Sequence, residues 1–210
     1  MIKNLAVFGD SWPAGEELKD PSSTAFPVLL SHRLGLTLHD FSQPATSIEH
    51  ALRKFLQSHR VWQHDTMVLF CLTNYARSMR IESHKEIEIY PKHRTEDSIN
   101  YYKFIYSNEL GMFNQLKAIL LVQSLCALSG VPLVMITNWN DVTDHDLVDH
   151  SKIYPQSMVE ILGIPNLESE QFRYIDAKNI YIHPNQNHPN VLGHQLIADK
   201  LYEWIQQHYD

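Results

Sequence analysis

Cysteine is scarce. The 210 residues contain two, Cys71 and Cys126, each inside an apolar run (Leu69-Phe70-Cys71-Leu72 and Leu125-Cys126-Ala127-Leu128). No C-x-x-C pair suggests zinc, and two buried free thiols are expected rather than a disulfide. Glycine is also sparse, at seven residues. The loop after the first apolar run has only Gly9 and Gly15, too few for a Gly-rich phosphate cradle, which ranks a flavodoxin-like nucleotide binder last among the candidates. Basic residues are the minority: Lys and Arg total 17 against 24 Asp and Glu, for a net charge of −7 with the 13 His neutral. A surface of that sign repels phosphate backbones, so no nucleic-acid partner is expected. Long hydrophobic runs are missing as well. Leu5-Ala6-Val7-Phe8 is too short for a signal-peptide core, and no later run is expected to span a membrane, so a cytoplasmic protein is expected. Against these absences, 44% apolar and 20% charged residues are ordinary globular usage. The length suits one domain over residues 1–210.

Hydrophobic periodicity supplies the elements. Ile2 to Phe8 reads as a short buried strand stopped by Gly9-Asp10, and Leu36 to Phe41 as a second. A helix is expected from about Thr24 to Leu34, with Pro27 near its first turn and Gly35 past its end. Thr46-Ser47-Ile48-Glu49 has capping-box spacing, and the helix it opens lines up Ile48, Ala51, Leu52, Phe55 and Leu56 on one face. Thr66 to Thr73 and Val131 to Thr137 are continuous apolar runs, as in strands covered on both faces. Helices are expected over about Met112 to Leu128 and Asn190 to Gln207, and a fifth strand over Phe172 to Asp176. Strands alternating with helices predict a three-layer α/β/α sandwich around a mostly parallel five-stranded sheet.

In such sheets, ligands bind beyond the carboxyl ends of the strands. The loops that begin there carry Ser11 after the first strand, Pro44-Ala45-Thr46-Ser47 after the second, Asn74 after the central one, and Asn185 to His188 before the last helix. Taken singly, the Ser, Thr and Asn suit turns and caps, and a lone His is usually a packing or surface residue. Together they fall where a nucleophile, its base and oxyanion donors would meet. In this order, the blocks resemble those of the SGNH/GDSL hydrolases. Leu5 to Ser11 is similar to the first block, Pro44 to Ser47 falls where the Gly block belongs, Leu72-Thr73-Asn74 where the Asn block belongs, and Asn185 to His188 with Gly193-His194 resembles the final block. The likeness spans residues 5 to 194.

The resemblance implies a serine esterase without a cofactor or metal, acting on a small-molecule or carbohydrate-linked acyl ester. It implies Ser11 as nucleophile, His188 as base, and the N–H groups of Ser11 and Ala45 with the Asn74 amide as oxyanion donors. Trp12, Tyr75 and Arg77 are expected near the substrate. Two positions depart from the family. Ala45 stands where the family has Gly, and a backbone donor needs only a suitable φ/ψ. Asn185 stands at the acidic position three residues before the His. An amide there carries no charge to stabilise the imidazolium, but its oxygen could still accept from the His188 Nδ1–H and keep Nε2 free as base, and Asn185 is expected in the catalytic set with Ser11 and His188. A backbone carbonyl or Asp176 could substitute for the carboxylate. The departure also allows a non-catalytic module that binds a glycan or a partner protein. A metal-dependent hydrolase built on Asp141, Asp144, His145, Asp146, Asp149 and His150 is a further alternative. Residues 75 to 110, rich in charge and Tyr with no sustained period, are expected as a lid or substrate wall inserted at the active edge.

Overall fold

The computed structural model describes residues 1–58, 64–83, 85–89, 95–139, 142, 144–164, 181 and 188–209. The parallel sheet is built from β1 (Asn4–Phe8), β2 (Thr37–Asp40), β3 (Thr66–Leu72) and β6 (Leu133–Thr137), in the spatial order β2-β1-β3-β6. β1 pairs in parallel on both sides, with Val7 opposite Asp40 and Leu69, and Phe8 opposite Phe70. All seven residues of β3 are buried, which is why its sequence shows no polar alternation. The expected fifth strand, with Asp176 at its end, lies outside the described residues.

Side chains alternate across this sheet and so create two cores. On one face Leu5, Val7, Leu69, Cys71, Val134 and Ile136 pack against α3 (Phe26–Leu34), α7 (Met158–Ile161) and α8 (Val191–His208). On the other, Ala6, Phe8, Val68, Phe70, Leu72 and Met135 pack against α4 (Ile48–Ser58) and α6 (Asn108–Ser129). The result is the three-layer architecture that the alternation of elements predicts. Both cysteines are free and buried, one in each core.

Three expectations change in detail. The helix expected from Thr24 divides into α2 (Pro21–Thr24) and α3, because extended Ala25 (ψ 143°) separates them and lets Pro27 sit in the first turn of the second. The cap of α4 is Ser47, whose Oγ accepts from the His50 N–H at 3.4 Å, while the Thr46 hydroxyl donates to the Gln43 carbonyl instead. Helix α6 is long and apolar enough by length and composition to cross a membrane, where no such run was expected. Asn114, Gln115, Lys117 and Gln123 break its run in the sequence, and Ala118, Ile119, Val122 and Cys126 form its buried side.

The segment expected as a lid folds as an antiparallel pair, β4 (Ser78–Glu82) and β5 (Lys85–Ile89), followed by α5 (Glu96–Phe104). The Tyr102 hydroxyl pins it by donating to the carbonyls of Ala76 and, at 3.2 Å, Ile89.

Candidate active site

The chain runs from β1 outward to β2 and then returns to the other side of β1 to lay down β3. The order therefore reverses between β1 and β3, and the crevice at their carboxyl ends is where a parallel sheet offers a site. Ser11 lies there, as the first residue of the short helix α1 (Ser11–Ala14). Gly9 permits this tight exit. A Cβ on it would come 2.6 Å from Pro13 Cγ and 2.8 Å from Cys71 Cβ.

Asp10 anchors the turn. It is 2% exposed, and its carboxylate gathers four donors from distant parts of the chain. Oδ1 accepts from Trp12 N–H at 3.2 Å and Asn138 Nδ2 at 3.0 Å. Oδ2 accepts from Thr73 Oγ1 at 2.5 Å and Arg77 at 3.0 Å. A buried charge is tolerated only when paired and hydrogen-bonded in this way. The network ties the ends of β1, β3 and β6 together beneath Ser11. Arg77 also donates to the Thr46 carbonyl at 3.3 Å, which adds the Ala45 loop to the same frame.

His188 arrives from the other end of the sequence. Asn190 caps α8 with its side chain, accepting from Gly193 N–H at 3.1 Å, while its own N–H donates to the Tyr181 carbonyl at 2.9 Å. Gly193 is required beside that carbonyl, since a Cβ there would collide with the Tyr181 oxygen. The histidine two residues before Asn190 is thereby held over the sheet edge. Its Nε2 lies 2.9 Å from Ser11 Oγ, joining residues 177 positions apart. Ser11 is almost wholly buried and the His188 side chain is 20% exposed. Two carboxylates accompany the ring: Glu17 Oε2 lies 3.0 Å from Nδ1 and Glu16 Oε2 3.4 Å from Nε2.

The remaining expected residues are placed as follows. Ala45 has φ +59°, the left-handed conformation that glycine adopts freely. Asn74 Oδ1 accepts from Ala76 N–H at 2.7 Å, so its NH2 end is the part of the amide left to donate outward. Trp12 does not offer a substrate wall. It is 3% exposed and packs in the core, its ring 5.7 Å from that of Trp139. Arg77 is engaged by Asp10, and half-buried Tyr75 lies against Gly111 of α6. Asn185 and Asp141 lie outside the described residues. In the acidic loop, fully exposed Asp144 stands 3.6 Å from His150. Among the described residues, the His and carboxylate group that does converge is elsewhere: His50, Glu86 and Glu88, with ligand atoms within 4.8 Å of one another. His194 is structural. Its Nδ1 accepts from the Phe26 N–H at 3.1 Å, and burial, with the charge of His188 adding to it, pushes its pKa down to about 3, so the ring is neutral.

Sequence reasoning missed Asp10, Thr73, Asn138, Glu16 and Glu17. Asp10 and Thr73 were adjacent to chosen residues, and a polar residue within two positions of the carboxyl end of a buried strand is the signal that marks both.

No protein-family model and no curated protein matches the sequence. Solved structures do match. A member of the lipolytic protein G-D-S-L family from Veillonella parvula superimposes with a TM-score of 0.54 at 13% identity, over 96% of this chain and 97% of that one. The psychrotrophic esterase EstA from Pseudoalteromonas sp. gives 0.53 at 15% identity, over 98% and 97%. A two-domain esterase active on acetylated mannans gives 0.50 at 12% identity, over 98% of this chain and 49% of that one. The fold is that of the GDSL-type lipolytic proteins and esterases.

Proposed function

We propose that this protein is a serine-dependent ester hydrolase that works through an acyl-enzyme on Ser11. The observation that carries the reading is the 2.9 Å contact between Ser11 Oγ and His188 Nε2 at the switch point of the sheet. In this reading Ser11 Oγ attacks the ester carbonyl as His188 Nε2 takes its proton. The oxyanion that forms is met by the Ser11 N–H, the Ala45 N–H and the Asn74 NH2. Collapse expels the alcohol, which takes the proton from Nε2. A water then repeats the two steps on the acyl-enzyme and releases the acid.

Three features support these roles. Ser11 heads a helix, where backbone N–H groups lack partners within the helix. Ala45 keeps the backbone of a glycine. Asn74 has its oxygen tied down, and among the described residues nothing accepts from its NH2. The substrate class proposed is a small or carbohydrate-linked acyl ester, in keeping with the fold likeness to an esterase active on acetylated mannans.

The test is hydrolysis of a short-chain aryl ester, with phosphonate labelling as a second readout. Wild type should turn over and carry the label on Ser11. Ser11→Ala should lose both, with kcat down on the order of 10³-fold or more. Equal rates in the two proteins, or no label on the wild type, would instead indicate a non-catalytic binding module.

A further inference from the structure

A histidine base needs its Nδ1 proton held, or the ring presents the wrong nitrogen to the nucleophile. The residue at the usual acidic position, Asn185, brings no carboxylate wherever its side chain lies. We infer that Glu17 supplies it: the Glu17 carboxylate is the positioning residue that holds the His188 Nδ1–H and leaves Nε2 free for Ser11. This rests on the esterase reading for its catalytic meaning, but the geometry stands by itself.

Glu17 Oε2 and His188 Nδ1 are 3.0 Å apart. Both atoms are shielded from solvent, and among the described residues neither has a hydrogen-bond partner, so each can satisfy the other. Rotation of the imidazole or of the carboxylate is needed to align the pair, and the cost of leaving two buried polar atoms unpaired favours it. The backbone shows the same constraint. Glu17 has φ +74°, a left-handed conformation that a residue with a Cβ adopts only at a cost. Such strain at a non-glycine residue persists where surrounding structure enforces it, and it clusters at functional sites. Here the turn after α1 is closed by Glu16 N–H donating to the Ser11 carbonyl at 3.0 Å and Leu18 N–H to the Gly15 carbonyl at 3.2 Å. The nucleophile and its proposed acid therefore belong to one seven-residue stretch, Ser11 to Glu17.

The proton balance is simple. Nε2 receives the Ser11 proton on attack and gives it to the leaving alcohol. Nδ1 keeps its proton throughout, and Glu17 stays ionised. Glu16, 3.4 Å from Nε2, meets an N–H there only while the imidazolium exists.

The experiment compares wild type, Glu17→Gln and Glu17→Gly, the last chosen because glycine suits the left-handed backbone. Two readouts are taken: kcat and KM on an aryl ester, and the 15N shifts of the His188 ring, which report its tautomer. The expected result is a kcat loss on the order of 10²–10⁴-fold in both variants with little change in KM, and loss in Glu17→Gly of the Nδ1–H preference seen in wild type. Unchanged ring shifts in Glu17→Gly overturn the inference whatever happens to the rate, because a merely structural role would leave the tautomer alone. If wild type itself hydrolyses nothing and takes no phosphonate label, the esterase reading fails, and the ring shifts still decide the role of Glu17.

Discussion

Ala45 shows how one residue can depart from a pattern while its backbone keeps it. At φ +59° it holds a conformation that costs an L-residue about 1–2 kcal/mol. Ala45→Gly removes that strain, and the freer unfolded chain takes part of the gain back. The net expectation is a stabilisation of roughly 0.5–1 kcal/mol, read as a higher urea midpoint. A lower midpoint would mean that the Ala45 methyl makes contacts worth more than the strain. Asp10 teaches the opposite lesson. Its identity was plain in the sequence, but its importance lies in Trp12, Thr73, Arg77 and Asn138, up to 128 positions away. No local pattern announces an acceptor of that kind.

Among the elements, the seam between α4 and the β4–β5 hairpin carries an electrostatic conflict. His50 Nδ1 contacts Glu86, which also pairs with Arg53, and Glu88 Oε1 stands 3.8 Å from the same nitrogen. Burial lowers the His50 pKa despite the neighbouring Glu86, so the ring does not serve as a dependable cation. Burial pushes the Glu88 carboxyl up to about 7, with the charges of Glu49 and Glu86 adding to the rise. The consequence has a definite sign. Below the ordinary value of 4.5, Glu88 is protonated in both the folded and unfolded states. Between 4.5 and 7 the unfolded chain releases its proton while the folded protein retains it, so stability falls as pH rises. Above 7 the loss is complete. Glu88→Gln should therefore melt higher than wild type at pH 8, with the difference closing by pH 4.5. A thermal-melt series that shows a constant difference at every pH would refute this assignment. The hairpin itself was not legible: its strands are half-exposed and charged, and residues 75–110 have no sustained period. The starts of α3, α4 and α8 were legible to within two residues, while α6 begins at Asn108, four residues before the expected Met112.

The whole molecule consists of two cores divided by one sheet, and each core contains one thiol. Cys71 is completely buried and its pKa is driven well up by that burial, while burial pushes Cys126 up to about 12. A thiol so placed is unreactive while its core is closed. In a thiol-labelling assay neither cysteine should react in the native protein. Both should become reactive together, along the same urea transition that circular dichroism follows, if the cores unfold as one unit. Labelling of Cys126 well ahead of Cys71 would show that the α4–α6 side opens separately.

By itself, the sequence determined the layered α/β/α class, the four observed parallel strands, and the loops that bear Ser11, Ala45, Asn74 and His188. It could do so because burial on both faces leaves an unbroken apolar run, and because parallel strands present all their carboxyl ends on one edge. Only the tertiary structure decided which charged residues serve that edge. In the sequence Asp10 reads as the stop of the first strand, and no local pattern singles out Glu16 and Glu17, or joins His50 of α4 to Glu86 and Glu88 of β5. A carboxylate acts through what lies within a few ångströms of it, and that distance is set by packing between segments far apart in the chain.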